Sequence, residues 1–208
     1  MTGPARGDLF IVSSPSGGGK TTLIRRLLDD PPGAPLHFSV SHTTRPLRAG
    51  EEDGREYHFV PVEEFQKMVQ RDEFLEHNEV HDNIYGTSKA EVLPRLAAGE
   101  DVILDIDVQG ARDLRRAYSD AVAIFIAPSS QPELQKRLRL RGLDGEEVIR
   151  KRLINAAREI QEAFEYQYVI VNDDLDRATS ELQSIVRARR LTPARQAERL
   201  ERIRKEFR

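Results

Sequence analysis

The chain contains no cysteine, which excludes disulfides, thiolate chemistry and zinc-ribbon sites and suits a reducing cytosol. It has no excess of positive charge: 32 lysines and arginines against 35 aspartates and glutamates leave a formal charge of -3. No global field therefore draws nucleic acid or an anionic membrane surface, and any anion site must be local. Long apolar runs are missing, since none approaches the ~20 residues that span a bilayer. The opening "MTGPARGDLFIV" holds too short an apolar stretch for a secretory signal. A cytoplasmic protein without nucleic-acid or membrane partners is expected, its oligomeric state left open. Its 208 residues suffice for one compact unit with room for a small insertion.

What is present is an alternation. Apolar runs of strand length occur at 9–13 ("LFIVS"), 101–107 ("DVILDID"), 121–127 ("AVAIFIA") and 168–172 ("YVIVN"), with the near-continuous character of strands buried on both faces. Helix-like stretches such as "KTTLIRRLLDD", "VQGARDLRRAY" and "DRATSELQSIVRARR" lie between and after them. This predicts an α/β fold with a parallel sheet flanked by helices. Residues 36–86 break the rhythm: "HFSVS", "REYHFV" and "FLEHNEV" read as short half-buried strands around a helix near "VEEFQKMVQRD", an inserted mixed α+β lobe. Pro94 is expected to kink or end a helix. Leu200, Ile203 and Phe207 recur at helical spacing, which predicts an amphipathic C-terminal helix docked on its own core, a basic partner-binding arm being the alternative.

The stretch "IVSSPSGGGKTT", residues 11–22, joins the first apolar run to a helix pattern through consecutive glycines. Gly17, Gly18 and Gly19 let the backbone curl so that N–H groups point inward, and the following helix opens with unsatisfied donors. Lys20 can reach the β- and γ-phosphates of a nucleoside triphosphate, and the Thr21 hydroxyl can occupy a position on Mg2+ bound to them. Ser14 stands where the motif G-x-x-x-x-G-K-[ST] has its first glycine. A flexible capping loop would account for the glycines but not for a lysine and threonine in this register. Ser14, Pro15, Ser16, the three glycines, Lys20 and Thr21 form the candidate donor-nucleotide site.

Together with "SHTTRPLRAGEEDGREYHF", "FLEHNEVHDNIYGTS", "LDIDVQGA", "RLRLRG" and "VIVNDD", in this order from about Asp8 to Arg190, the loop resembles the bacterial guanylate kinases. The resemblance implies a P-loop core, a GMP-binding lobe and a helical lid, with γ-phosphoryl transfer from ATP to GMP (dGMP too is an expected acceptor) in the presence of Mg2+. It divides the chain into core (1–35), GMP lobe (36–90), core (91–130), lid (131–155), and core with C-terminal helix (156–208). Arg45, Arg48, Tyr57 and Tyr85 would hold the GMP phosphate, by guanidinium forks and phenol hydroxyls; a solvated charged loop is the other reading of "RPLRAGEEDGR". For the base, the resemblance points to Glu76, Ser41, Thr87 and Asp107, with Gly86 beside them. Glu76 would accept guanine N1–H and the exocyclic amine, and the Ser41 and Thr87 hydroxyls would donate to O6.

Asp105 and Asp107 are placed at the end of one strand with separate tasks: Asp107 at the base edge, Asp105 at the magnesium shell or the loop. The resemblance makes Arg137, Arg141 and Arg152, together with Lys20, the catalytic cations. It makes Asn172 the adenine-side contact, with a turn-capping asparagine as the alternative. No general base is needed, because the accepting phosphate oxygen is already ionised near neutral pH. His77 and His81, four apart in a predicted strand, would lie ~13 Å apart, too far to share a metal. Other classes considered are a ribose bisphosphate kinase, a phosphopeptide-binding module of the same fold and a GTPase switch. Glu76, the intact glycine-lysine-threonine loop and the lack of an Asn-Lys-x-Asp segment argue against each in turn.

Overall fold

The computed structural model describes residues 6–80, 82–140 and 145–207. In chain order the elements are β1 (Leu9–Ser13), α1 (Lys20–Asp29), β2 (Leu36–Ser39), β3 (His42–Thr43), β4 (His58–Phe59), α2 (Val62–Gln70), β5 (Phe74–Val80), β6 (Asn83–Ser88) and α3 (Lys89–Ala97). They continue with β7 (Asp101–Asp105), α4 (Val108–Ala117), β8 (Val122–Pro128), α5 (Gln131–Leu140), α6 (Glu146–Gln161), β9 (Tyr168–Asn172), α7 (Leu175–Arg190) and α8 (Ala197–Glu206). A 3-10 turn, Glu162–Glu165, follows α6.

Strands β2, β7, β1, β8 and β9 lie side by side in that order, all parallel. The apolar runs are continuous because both faces are covered. Leu9 and Ile11 pack with α3 and α4 on one side, while Phe10 and Val12 pack with α1 and α7 on the other. The expected α/β class and flanked parallel sheet are observed. So is a separate mixed sheet of four strands, ordered β4, β3, β6, β5, with α2 packed on it through Phe65, Met68 and Phe74. The Phe65 and Phe74 rings stack with centroids 4.5 Å apart. Helices α5 and α6 pair through Leu134, Leu138, Ile149 and Ala156.

Several expectations need correction. "HFSVS" was assigned to the inserted lobe, yet β2 pairs with β7 in the main sheet, so the second sheet begins only at His42. Its partly exposed side chains are those of an edge strand, not of a separate unit. The strand containing Asp105 ends there; Asp107 instead caps α4, and its carboxylate accepts from the N–H groups of Gln109 and Gly110 at 2.7 and 2.9 Å. Helix α3 passes through Pro94 to Ala97, because the proline removes only its own bond to Ala90. Helix α8 forms but does not dock: Leu200 and Ile203 are 49% and 42% exposed, a stripe too narrow to pull so charged a helix onto the core. Among the described residues no helix is long and apolar enough to cross a membrane.

At the end of the sheet away from the glycine loop, Asp101 is buried with its side chain 1% exposed. It accepts from the Asp8 N–H at 2.8 Å, from Arg190 Nε at 2.6 Å and from Arg195 Nη2 at 2.8 Å. Arg189 and Arg195 also pair with Asp8. This cluster clamps the end of α7 to β1 and β7. Asp101→Ala would leave Arg190 without a carboxylate partner, Arg195 with Asp8 alone and the Asp8 amide unpaired, so it is expected to cost about 3 kcal/mol of stability. Urea unfolding measures the loss, and the Michaelis constants for both substrates should stay unchanged.

Candidate active site

β1 is the central strand, and the chain leaves it toward β2 on one side and reaches β8 on the other. Ligands of open parallel sheets gather at the carboxyl ends of strands beside such a switch. The glycine loop follows β1 there, and Asp105, Ile106 and Asp107 follow β7. A cleft of about 300 Å³ opens between them and the second sheet, lined by Ser14, Pro15, Ser16, Gly17, Gly19, Lys20 and Thr21 from the loop and by Ser41, Tyr57, Glu76 and Tyr85 from the lobe. Asp105, Asp107 and Glu159 complete it.

The loop reaches its shape through two left-handed glycines, Gly17 at φ 91° and Gly19 at φ 95°. The three glycines do not present three free amides, because Gly18 N–H donates to the Pro15 carbonyl at 2.8 Å. The Asn172 amide donates to the Gly18 carbonyl at 2.9 Å, and Arg137 reaches the Gly18 and Asn172 carbonyls. Asn172 is thus buried and turned toward the loop; it does not cap α7, a task that falls to Asp174. Arg137 also pairs with Glu133, while Arg152 donates to the Ser16 hydroxyl. Arg141 lies outside the described residues, as does His81.

Lys20 Nζ meets Asp105 Oδ1 and the Ile106 carbonyl, both at 2.6 Å, and the Thr21 hydroxyl donates to Asp105 Oδ2 at 3.1 Å. The end of β7 divides Asp105 from Asp107: Asp105 is the last residue of the strand, and Asp107, beyond it, caps α4. Among the described residues no cluster of three or more His, Cys, Asp or Glu could hold a metal by itself. The Thr21 hydroxyl and the Asp105 carboxylate are hard oxygen donors, which suit magnesium when nucleotide phosphates supply the remaining ligands.

On the lobe, Arg45 is buried and its Nη2 donates to both Glu51 oxygens at 2.8 and 3.0 Å. Its guanidinium lies over the Tyr57 ring, 5.4 Å from the centroid. The Arg45 hydrogen bond holds the Glu51 carboxyl below the usual carboxylate range. Arg48 is exposed, and Tyr57 and Tyr85 meet edge to face. Gly86 faces Phe65 and Phe74, away from the cleft: a Cβ there would come within about 3 Å of both rings. Thr87 is fully buried, and its hydroxyl donates to Glu76 Oε1 at 2.6 Å, so its one proton is used on the carboxylate instead of on a guanine O6.

Glu76 is the most perturbed carboxyl of the cleft. Burial pushes it up to about 7; the hydrogen bonds from Thr87 and Asn78 oppose the rise, and Asp107 and Asp113 add to it. Glu159, on α6, is likewise raised, chiefly by burial and then by Asp107. Sequence reasoning missed Glu51, Asn78, Gln109 and Glu159. Asn78 was accessible in principle, since it stands two residues from Glu76 on β5 and is buried like it.

A sequence model of one protein family, described as guanylate kinase, matches residues 6–189. The chain belongs to the guanylate kinase family. The guanylate kinases of Escherichia coli K12 and Salmonella typhimurium LT2 are each 51% identical to it over 195 residues, covering 94% of both chains. The crystal structure of a guanylate kinase from Anaplasma phagocytophilum superimposes with a TM-score of 0.75 at 34% identity, over 92% of this chain and 90% of that one. The five-stranded parallel sheet with its separate mixed four-stranded sheet is thus the guanylate kinase fold.

Gly19 offers a direct check of the loop. A Cβ there would fall 2.2 Å from the Asn172 amide nitrogen, in a backbone conformation that disfavours side chains. Gly19→Ala is expected to lose about 1–2 kcal/mol of stability and to raise the ATP dissociation constant, as read by thermal unfolding and by nucleotide titration.

Proposed function

We propose that the cleft seats ATP on the glycine loop and GMP on the second sheet, with Glu76 reading the guanine. As a guanylate kinase, the chain transfers the γ-phosphoryl group of ATP to GMP and yields ADP and GDP. The observation that carries the residue assignment is Glu76: a buried carboxylate across the cleft from Lys20, bonded among the described residues to neutral Thr87 and Asn78. Guanine presents N1–H and an exocyclic amine on one edge, and adenine does not. A site built to accept those protons rejects analogues strongly, because its own polar groups would be left unpaired.

The chain's task in the reaction is to hold two polyanions in line. The loop amides and Lys20 grip the donor phosphates, while Arg45, Arg48, Tyr57 and Tyr85 face the acceptor phosphate. Thr21 and Asp105 would hold Mg2+ against the donor, where the ion supplies positive charge to phosphate oxygens. Arg137 stands on α5 and Arg152 on α6, which would act as a lid whose closure excludes water from the transferring group, and the sequence assigns Arg141 the same task. Ser41 and Asp107 complete the guanine pocket, Thr87 acting through Glu76. Asn172 supports the donor site through Gly18.

Three outcomes are expected. Glu76→Gln should weaken GMP binding by roughly a hundredfold with ATP binding unchanged, as measured by titration calorimetry. The Michaelis constant for GMP should rise as pH falls below about 7, because the protonated carboxyl cannot accept both guanine protons; Glu76→Gln should flatten that profile. The same raised value means that the folded state binds this proton more tightly than the unfolded one, so the group's contribution to stability is lost as pH rises through 7. Finally, Arg137→Ala should lower kcat by ~10³ with a smaller effect on ATP affinity, and a coupled ADP-release assay separates the two.

A further inference from the structure

Glu76 is not oriented by Thr87 alone. Asn78, two residues along β5 and also buried, donates its amide to Glu76 Oε2 at 3.3 Å. The Asn78 carbonyl in turn accepts from Gln109 Nε2 at 2.7 Å. Gln109 stands in the first turn of α4, which Asp107 fixes by capping the Gln109 and Gly110 amides. Gly110 lets that turn approach: a Cβ at this position would lie 2.7 Å from Glu76 Oε2. A row of side-chain amides therefore crosses from a core helix to the carboxylate in the lobe.

With Glu76 ionised, the polarity of the row is forced. An ionised carboxylate can only accept, so Asn78 must turn its NH2 toward Glu76 and its carbonyl away, and Gln109 must then turn its own NH2 toward Asn78. Thr87 and Asn78 each occupy one lone pair on a different oxygen of Glu76. One further acceptor site remains on each oxygen, which matches the two protons of a guanine edge.

We propose that Asn78 and Gln109 are positioning residues for the acceptor base: their amide row from α4 fixes the direction of the Glu76 carboxylate, and so ties GMP affinity to the seating of the lobe on α4. The inference rests on the reading of Glu76 as the guanine acceptor. Asp107 and Asp113 of α4 press on the same carboxyl with like charge, and the Asn78 and Thr87 donors oppose them.

The test uses the full chain with Asn78→Ala, Gln109→Ala, Gln109→Glu, Asn78→Ala combined with Gln109→Ala, and Glu76→Gln, each assayed for kcat and both Michaelis constants across pH. Gln109 is exposed, so its variants keep the fold. Asn78→Ala should raise the GMP constant roughly tenfold and Gln109→Ala roughly threefold, the range of one hydrogen bond, with kcat and the ATP constant nearly unchanged. The pH below which GMP binding weakens should move upward in Asn78→Ala. The double variant should be no worse than Asn78→Ala, because Gln109 acts through Asn78. Gln109→Glu, though the same shape, should be worse than Gln109→Ala, since a carboxylate at 109 would turn the Asn78 amide around and aim its carbonyl at Glu76. Wild-type GMP constants in both Gln109 variants, with GMP binding lost in Glu76→Gln, would overturn the amide row alone. Unchanged GMP binding in Glu76→Gln would overturn the reading of Glu76 and the row with it.

Discussion

A site for two polyanions must gather cations in one cleft, and their mutual repulsion constrains everything near it. The molecule resolves it by resting Lys20, Arg45 and Arg137 on internal acceptors. Lys20 rests on Asp105 and the Ile106 carbonyl, Arg45 on Glu51, and Arg137 on Glu133 and two carbonyls of the loop region. Each acceptor fixes a direction as well as a charge. Arriving phosphates thus compete with carboxylates already in place, and the side chains lose little rotamer freedom at that moment.

The sheet explains why these groups meet. Strands buried on both faces end together at the carboxyl edge, so the loop after β1 and the turn after β7 share a mouth, although Lys20 and Asp105 are far apart in the chain. The second sheet brings its own face opposite, and α4 joins the two: its capped first turn lies against β5, on the inward side that holds Glu76.

Much of this was legible from residues alone. Continuous apolar runs revealed the parallel sheet, and three glycines before Lys20 and Thr21 marked the loop between β1 and α1 that lines the cleft. What escaped was set by pairing rather than by pattern. Strand β2 looked half-buried because it is an edge, β6 carried no alternation strong enough to separate it from the motif containing Tyr85, and α8 had the periodicity of a docked helix but too little apolar area. Asp107 caps α4 and Thr87 bonds Glu76 for one reason: each polar side chain has few hydrogen-bonding positions, and the backbone or a neighbour had first use of them. Glu51, Asn78 and Gln109 are ordinary surface letters in the sequence, and only the fold sets them against Arg45 and Glu76.

The clamp at Asp101 has a mechanical side. Asp8 enters the first strand, Arg190 closes α7 and Arg195 follows it, so both flanks of the described chain converge on one carboxylate at the edge remote from the nucleotides. A tug on the segment beyond Arg195 is borne by these ion pairs before any of it is transmitted to the glycine loop, which leaves α8 free to swing or be gripped without disturbing catalysis.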